Sequence, residues 1–162
     1  MLIRPAFDAD LDAILEIHND AIRDTLAIWS DTEVDRSDRE RWLSQHDADG
    51  HPVIVAEIDG EVVGYASYSQ WREKIGYRFT VENSVYVASG HQRQGIARLL
   101  MVELIDQARQ RGMHVMIAAI EAGNTASITL HEQLGFEPPA IIREVGIKFD
   151  RWLDLALMRL EL

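Results

Sequence analysis

The chain has 162 residues, 47% of them hydrophobic and 27% charged, which is the length and composition of one globular domain with a sizeable core. Its formal net charge of −11 argues against nucleic acid and anionic membranes as partners, because both are bound mainly by neutralising phosphates. The lack of cysteine excludes a disulfide framework, a thiolate metal site and a cysteine nucleophile. Since no apolar run has the length of a transmembrane helix and no signal-peptide h-region is present, a cytoplasmic location is expected.

Hydrophobic periodicity divides the chain into strands and helices, with no internal repeat, low-complexity tract or linker. The predicted elements in chain order are a strand at LIRPA, a helix capped by Asp8 or Asp10, a helix over Asp38–His46, two hairpin strands around Asp59-Gly60, a strand at TVENSVYV, a helix over GIARLLMVELIDQARQRG, a strand at MHVMIAAI, a helix over Asn124–Leu134 and C-terminal strands ending in KFDRWLDLALMRLEL. The order β-α-α-β-β-β-α-β-α-β-β predicts a single α/β (α+β) domain over residues 1–162, with helices packed on a mixed sheet.

Two strands carry specific expectations about burial. MHVMIAAI is almost continuously apolar, so it is expected to be buried on both faces. The C-terminal strand alternates Leu153, Leu155 and Leu157 with more polar neighbours, which predicts a half-buried antiparallel strand with these leucines inside.

The connection between TVENSVYV and the long helix is basic in an otherwise acidic chain. A helix N-terminus presents unpaired N–H groups and a partial positive charge, which together favour phosphate. Gly95 and Ala97 add little bulk there, while Arg93 and Arg98 can supply charge-assisted hydrogen bonds. The tract lacks both the Walker and the dinucleotide-binding glycine patterns. The alternative is an ordinary strand-to-helix connection with solvated arginines.

The residues QRQGIA (92–97) resemble the Q/R-x-x-G-x-G/A motif of the GNAT superfamily of N-acetyltransferases, in which this loop holds the pyrophosphate of acetyl-CoA. Within that superfamily the chain resembles the phosphinothricin and methionine sulfoximine acetyltransferases over essentially its whole length. The segments that carry the resemblance are AIWSDTEVD, GYASYSQWR, GYRFTVENSVYV, HVMIAAIEAGNTASITLHEQLGF and VGIKFDRWLDLALMRL. It implies a GNAT fold, with a twisted sheet of about seven strands and about four helices, splayed between TVENSVYV and MHVMIAAI. It also implies a homodimer.

The resemblance further implies a set of contacts to acetyl-CoA as the acetyl donor. Asn124 and Ser127 share one face of the predicted short helix with His131, although an asparagine at a helix start is also favoured for local capping. The implied coenzyme contacts are Val85, Tyr86, Val87, Arg93, Gln94, Gly95, Ile96, Ala97, Arg98, Asn124, Ser127 and Gln133.

Glu82 is the candidate general base. Strand alternation puts it on one face with Ser84 and Tyr86, opposite Val81. Apolar neighbours would raise its pKa from about 4.3 toward neutrality. It matches the glutamate of the family's T-V/A-E segment, where the glutamate is the proposed base. The alternative is a strand glutamate that faces solvent or forms a salt bridge.

His131 is the second candidate catalytic residue. It stands where many GNAT enzymes carry a tyrosine that protonates the departing thiolate, and a histidine can serve as acid or base. The alternative is a helix histidine packed under the C-terminal strands. It does not begin a zinc-binding H-E-x-x-H pattern, because position 135 is glycine, and the other histidines lack metal-ligand spacing, so no metal is predicted.

The acceptor site is expected around WREKIGYRF (71–79), because arginine suits the carboxylate of an amino-acid-like substrate. The resemblance implies contacts from Ile75, Gly76 and Tyr77, with Arg72 close by and Trp29 as a wall. Glu73-Lys74-Ile75 departs here from the W-R-x-F of relatives, and a solvated charged loop is the alternative.

These features predict an acetyl-CoA-dependent N-acetyltransferase in which the free amine of a small amino acid analogue attacks the thioester directly. Phosphinothricin, methionine sulfoximine and methionine sulfone are the expected kinds of acceptor. One alternative is another amine, such as an ordinary amino acid, a polyamine or a peptide N-terminus. A second is a non-catalytic acyl-CoA-binding sensor, which would need the arginine loop but neither Glu82 nor His131.

Overall fold

A computed structural model describes all residues, 1–162. The strands and helices are β1 Leu2–Pro5, α1 Leu11–Asp24, α2 Arg36–Ala48, β2 Val53–Ile58, β3 Glu61–Gln70, β4 Thr80–Val87, α3 Ile96–Gln110, β5 Val115–Glu121, α4 Thr125–Gln133, β6 Ala140–Lys148 and β7 Arg151–Glu161. The predicted order of elements is confirmed. No helix combines the length and the apolar character needed to cross a membrane.

The seven strands form one sheet in the order β1-β2-β3-β4-β5-β7-β6. Only β4 and β5 run parallel, and every other neighbouring pair is antiparallel, which confirms the predicted mixed sheet. The hairpin between β2 and β3 turns at Asp59 and Gly60, both with positive φ (51° and 88°), as a tight two-residue hairpin requires.

Helices cover both faces of the sheet. The smaller apolar cluster lies under α1, where Leu11 and Ile14 pack against Tyr65. The larger cluster lies under α3 on the other face and includes Leu104 and Met116. Because α1 and α3 pack on opposite sides, alternate residues of β4 reach two different environments.

Two capping details differ from the expectation. Helix α2 begins at Arg36, two residues earlier than predicted, because the Asp35 carboxylate accepts a hydrogen bond from the N–H of Asp38. Asp10 precedes α1, but its carboxylate accepts instead from Arg4 and from the N–H of Phe7. That carboxylate therefore closes the turn before the helix.

The expectation that β5 is buried on both faces is wrong. Met116, Ala118 and Ile120 are buried, whereas Ala119 is exposed, so the strand alternates. The buried side faces α3, while α1 on the other side of the sheet packs on β3 and β4. Alternate apolar side chains of β5 therefore point to a face of the sheet that α1 does not reach.

The expectation for the C-terminal strand is correct only in part. Leu153 is buried, but the buried residues after it are Ala156, Met158 and Leu160, not Leu155 and Leu157. The β6–β7 register shifts between Ile142 and Gly146, so the alternation changes phase at this irregularity.

Lys148, at the end of β6, connects the C-terminal hairpin to the end of α1. Its side chain is 2% exposed, and its ammonium donates to the backbone carbonyls of Ile22, Thr25 and Ile28. These three carbonyls follow one another around the end of α1, so one cation fixes the path of the chain there.

Candidate active site

Strands β4 and β5 pair only at one end. Thr80, Val81 and Glu82 pair with Val115, Met116 and Ile117, after which the strands separate. Beyond this point β4 continues to pair with β3, and β5 with β7. The β5-facing edge of residues 83–87 therefore has no strand partner, and the predicted contacts Val85, Tyr86 and Val87 lie along this open edge.

The loop after β4 presents a series of free backbone donors. None of the N–H groups of residues 93–98 donates to an acceptor within the protein. Arg93 and Gly95 both have left-handed backbones, with φ of 61° and 81°, and such residues turn neighbouring N–H groups toward a common anion. A Cβ placed on Gly95 would meet nothing within 4 Å, so the space in front of the backbone is open.

The side chains of this loop add charge. Arg93 and Arg98 are exposed and form no salt bridge within the protein. Gln94 and Ala97 complete the loop, whereas the side chain of Ile96 is buried in the core under α3. Ile96 can therefore contribute to a ligand only through its N–H group. The arrangement is suited to a polyphosphate at the start of α3.

Glu82 lies at the last β4–β5 pair, on the α1 side of the sheet with Ser84 and Tyr86. It is half-buried and forms neither a hydrogen bond nor a salt bridge. Burial raises the pKa of its carboxyl group, and the charge of Arg72 opposes this increase. Arg72 is therefore close enough to act on Glu82 electrostatically, which brings two of the predicted residues together.

An aromatic cluster that was not predicted lies beside Glu82 on the same face. The Tyr86 ring packs 5.3 Å from Tyr65 and 6.2 Å from His18, whose Nδ1 is 2.9 Å from the Tyr65 hydroxyl. Burial, with a contribution from nearby Arg39, lowers the pKa of His18 to about 4. Arg39 itself is 8% exposed, pairs with Asp38 and lies over the Trp42 ring. His18 lies on the apolar stripe of α1, which was the available signal in the sequence.

His131 lies on the other face of the sheet, in α4, and is 1% exposed. Its Nδ1 is 2.8 Å from the carbonyl oxygen of Ser127, and its Nε2 is 3.1 Å from Nδ2 of Asn83. Burial lowers the pKa of the imidazole, and the Ser127 carbonyl opposes this decrease. Both ring nitrogens are therefore engaged within the protein. Asn83 was not predicted, although it is a polar residue on the face that Val81 and Val85 share.

The other α4 residues do not all lie on one face. Asn124 caps the helix, with its Oδ1 accepting from the N–H of Ser127, while its Nδ2 makes no hydrogen bond within the protein. Asn124, Ser127 and His131 follow one face, as predicted. Gln133 is exposed and lies about 200° around the helix from His131. Its coenzyme contact remains a prediction.

None of the remaining predicted acceptor residues forms a hydrogen bond or an ion pair with Glu82. Ile75, Gly76 and Tyr77 form one exposed 3-10 turn, and Ile75 is 76% exposed. Trp29 packs on Gly146 so closely that an added Cβ there would lie 2.2 Å from the indole ring, and its Nε1 donates to Leu26. Both segments are thus ordered by contacts that do not involve Glu82. No cluster of three or more potential metal-ligating side chains is found.

The fold and this site define a class of protein. Residues 13–136 match the family model described as the acetyltransferase (GNAT) family, so the chain belongs to that family.

Two characterised relatives align over nearly the whole chain. The L-methionine sulfoximine/L-methionine sulfone acetyltransferase of Salmonella typhimurium is 51% identical over 162 residues, covering 100% of this chain and 95% of the relative. The phosphinothricin N-acetyltransferase of Alcaligenes faecalis is 38% identical over 159 residues, covering 97% and 80%.

Solved structures agree with the fold. The ribosomal-protein-alanine N-acetyltransferase from Brucella melitensis superposes with a TM-score of 0.99 at 54% identity, covering 100% of both chains. A Salmonella typhimurium protein solved with its cofactor acetyl-CoA gives a TM-score of 0.98 at 51% identity, covering 100% of this chain and 94% of the other. The predicted GNAT fold, with seven strands and four helices, is confirmed.

Proposed function

We propose that this protein is an acetyl-CoA-dependent N-acetyltransferase that acts on the free α-amine of a small amino acid analogue of the methionine sulfoximine, methionine sulfone or phosphinothricin type. The observation that carries the proposal is the separation of β4 from β5. The open edge of β4 leads into a loop of free N–H groups. Glu82, whose carboxyl pKa is raised by burial, lies where the two strands separate. The names of the relatives supply the acceptor class.

The residues present fit acetyl-CoA. The N–H groups of residues 93–98, with Arg93 and Arg98, would hold the pyrophosphate. The open edge of Val85, Tyr86 and Val87 would hydrogen-bond the extended arm and polarise the thioester carbonyl. Asn124 Nδ2 has no partner within the protein and is available as a further donor. When bound, acetyl-CoA supplies an activated acetyl group.

Glu82 removes the proton that keeps the substrate amine from acting as a nucleophile. A carboxyl group of ordinary acidity is a weak base toward an ammonium ion, and burial raises the pKa of Glu82 toward the range in which proton transfer is efficient. Since Glu82 has no fixed hydrogen-bond partner, it can exchange its proton directly or through water. Arg72 limits the increase in pKa and would bind the acceptor's carboxylate.

His131 transfers a proton to the departing sulfur. Because burial lowers its pKa, the imidazole is neutral near neutral pH, and its one ring proton is held by the Ser127 carbonyl. A proton destined for the sulfur must therefore reach Nε2 from water during turnover and leave from there. The ring ends each cycle neutral.

A peptide N-terminus is the second candidate acceptor. The structure from Brucella melitensis, at 54% identity, bears the name of an enzyme for ribosomal-protein alanine. A peptide acceptor also presents a free α-amine, but it lacks the adjacent free carboxylate that Arg72 would bind. The two acceptor classes thus differ in their dependence on Arg72.

We further propose that the chain, a single domain over residues 1–162, acts in the cytoplasm as a homodimer. The β6–β7 hairpin exposes a group of large apolar side chains, which a second copy would cover. These are Ile141, Ile142, Val145, Ile147, Phe149 and Trp152. Light scattering on wild type and on Ile147→Glu tests this, with a dimer expected for the former and a smaller species for the latter.

A substrate panel tests the proposed function. Acetyl-CoA-dependent thiol release is measured with methionine sulfoximine, methionine sulfone, phosphinothricin, methionine, a polyamine and a peptide with N-terminal alanine. The three analogues are expected to react fastest. A reaction confined to the peptide would support the second candidate, and one confined to the polyamine would contradict the role of Arg72. Binding of acetyl-CoA by calorimetry without turnover on any amine would indicate a sensor.

A further inference from the structure

The position of the ring proton of His131 follows from its hydrogen bonds. A backbone carbonyl can only accept, so the 2.8 Å contact with Ser127 requires the proton on Nδ1. In the neutral imidazole, Nε2 then carries a lone pair. The group that faces Nε2 at 3.1 Å must therefore donate, and that group is the Asn83 carboxamide.

This contact fixes which way the Asn83 side chain points. Nδ2 faces Nε2 of His131 and also lies 3.5 Å from the Met101 sulfur. The reverse orientation would set Oδ1 against the lone pair of Nε2, and two acceptors repel each other. The orientation of this amide is thus determined by the protonation state of one histidine.

This orientation of the Asn83 amide leaves a buried acceptor unsatisfied, and packing alone does not explain it. Asn83 is 8% exposed, and its Oδ1 is buried without any hydrogen-bond partner. A buried unsatisfied acceptor costs about 1–3 kcal/mol. Val81 and Val85 occupy the neighbouring positions on the same face of β4, so an aliphatic residue would suit this site better. The polar residue is therefore present for its contact with His131.

We propose that Asn83 is a positioning residue for His131: its carboxamide donates to Nε2 of the neutral ring and reverses to accept from Nε2 when the ring takes up a second proton. The proposal deepens the proposed function, on which its consequence for catalysis rests. Asn83 immediately follows the last β4–β5 pair, so the reversal occurs at the point where the two strands separate. It gives the buried ring a partner in both states without a second ionised group.

The surroundings of the ring contain no competing charge. Phe136 packs edge-on at 4.8 Å after α4, Met101 approaches from α3, and Asn83 comes from β4. Burial and the Ser127 carbonyl are the influences on the imidazole, and no ionised side chain is among them. The nearest carboxylate on β4, that of Glu82, points to the opposite face of the sheet. Tyr68 of β3 pairs with Asn83, and burial raises the pKa of its hydroxyl, so it stays neutral while the ring titrates. A change at position 83 therefore acts on His131 without a background of other titrations.

The test is nitrogen NMR of the His131 ring in the whole protein, without ligand, across a pH series. Wild type is expected to show the Nδ1–H tautomer at neutral pH, with the Asn83 carboxamide signal shifting at the same midpoint as the ring. In Asn83→Asp the acceptor is permanent, so the midpoint should rise by about 1 to 3 pH units. Asn19→Asp makes the same change in α1 and should leave the midpoint unmoved. An Nε2–H tautomer in wild type, or an unchanged midpoint in Asn83→Asp, would overturn the proposal.

The consequence for catalysis is measured separately with Asn83→Leu, which fits the apolar face if the aspartate variant fails to fold. We expect kcat to fall about tenfold or more, with its acid limb displaced and the KM for acetyl-CoA within about twofold of wild type. A packing role alone would lower the melting temperature and leave the pH profile in place, which would contradict the proposal. Because the NMR experiment needs no turnover, its outcome stands even if the proposed acetylation is wrong.

Discussion

Glu82 and Asn83 are neighbours in β4, but their side chains point to opposite faces of the sheet and lie in different environments. Glu82 faces α1, half-buried, with a cation nearby and no fixed hydrogen bond. Asn83 faces α3, nearly fully buried, and holds a histidine whose nitrogens are both engaged. Burial shifts both titrating groups toward their neutral forms, raising the pKa of the carboxyl and lowering that of the imidazole.

The difference shows how one strand can separate the two proton-transfer roles that we propose. A group without fixed partners can exchange a proton with a substrate or with water at once. A group with two fixed partners can do so only if a partner rearranges, and this places its chemistry under the control of a neighbour. Strand alternation keeps the two groups one residue apart in sequence and on opposite sides of the sheet.

The largest expected effect is that of Glu82→Gln. The amide cannot take up a proton, so kcat should fall by about 10²- to 10³-fold, while acetyl-CoA still binds. Stopped assays of thiol release at several pH values measure this. Glu132→Gln, an exposed residue of α4, is the matched control. Turnover of Glu82→Gln equal to wild type across the pH range would remove Glu82 as the base and end the contrast between the faces.

Lys148→Met tests how far the α1 face depends on the C-terminal hairpin. The change removes the donor for three carbonyls at the end of α1, so the free energy of unfolding should fall by about 3 kcal/mol. Denaturant titration measures the loss, with exposed Lys74→Met as the control for stability alone, because Lys74 lies in the predicted acceptor segment. The acceptor KM should rise while acetyl-CoA affinity is kept. A loss of acetyl-CoA affinity as large as the rise in the acceptor KM would show that the α1 face and the acetyl-CoA site are not independent of each other.

Arg98→Ala tests the acetyl-CoA-binding loop alone. The guanidinium has no carboxylate partner, so its loss should weaken acetyl-CoA binding about five- to tenfold and leave kcat unchanged. Calorimetry at two salt concentrations measures the affinity, and the salt dependence should diminish in the variant. Arg109→Ala removes an exposed arginine from the far end of α3 and should behave as wild type. A fall in kcat without a change in affinity would place Arg98 in the chemistry instead.

The smallest effect concerns stability against acid on the α1 face. The pKa of His18 is about 4 in the folded protein and 6.5 ordinarily, so the unfolded chain binds more protons between these values. The contribution of His18 to stability is complete above about pH 6.5 and is lost as the pH falls toward 4. Denaturant titrations at pH 7.5, 5.5 and 4.5 should give a shallower decline for His18→Gln than for wild type. Exposed His114→Gln should match wild type, and identical slopes in all three proteins would contradict the prediction.

Much of the fold could be predicted because its signals are local. The Asp59-Gly60 turn and the change from a period of two to 3.6 around Gly95 mark the elements directly. The errors arose where partners distant in sequence decide the outcome. The apolar run of β5 could not show that α1 stops at β4, and the leucine alternation of β7 could not show its changed register against β6.

The candidate site likewise combines features that local sequence determines with features that depend on partners distant in sequence. The free N–H groups of residues 93–98 lie in one stretch of chain, so a local motif was enough to single out this loop, and its contact with acetyl-CoA stays a prediction. The candidate acid–base groups, Glu82 and His131, have shifted pKa values because of burial, which arises only through tertiary packing. Asn83 was detectable in principle, because it interrupts the apolar series of Val81, Val85 and Val87. It was missed because its partner, His131, is 48 residues away.

The position of Lys148 also bears on the chemical durability of the protein. Only two of its 16 basic residues are lysines, and arginine does not give up its proton to become a nucleophile. The ammonium of Lys148 is held by three carbonyls in a side chain that is 2% exposed, so it is out of reach of an acylating reagent. Lys74 remains the one accessible side-chain amine. A protein that binds a reactive thioester thus presents it with almost nothing of its own to modify.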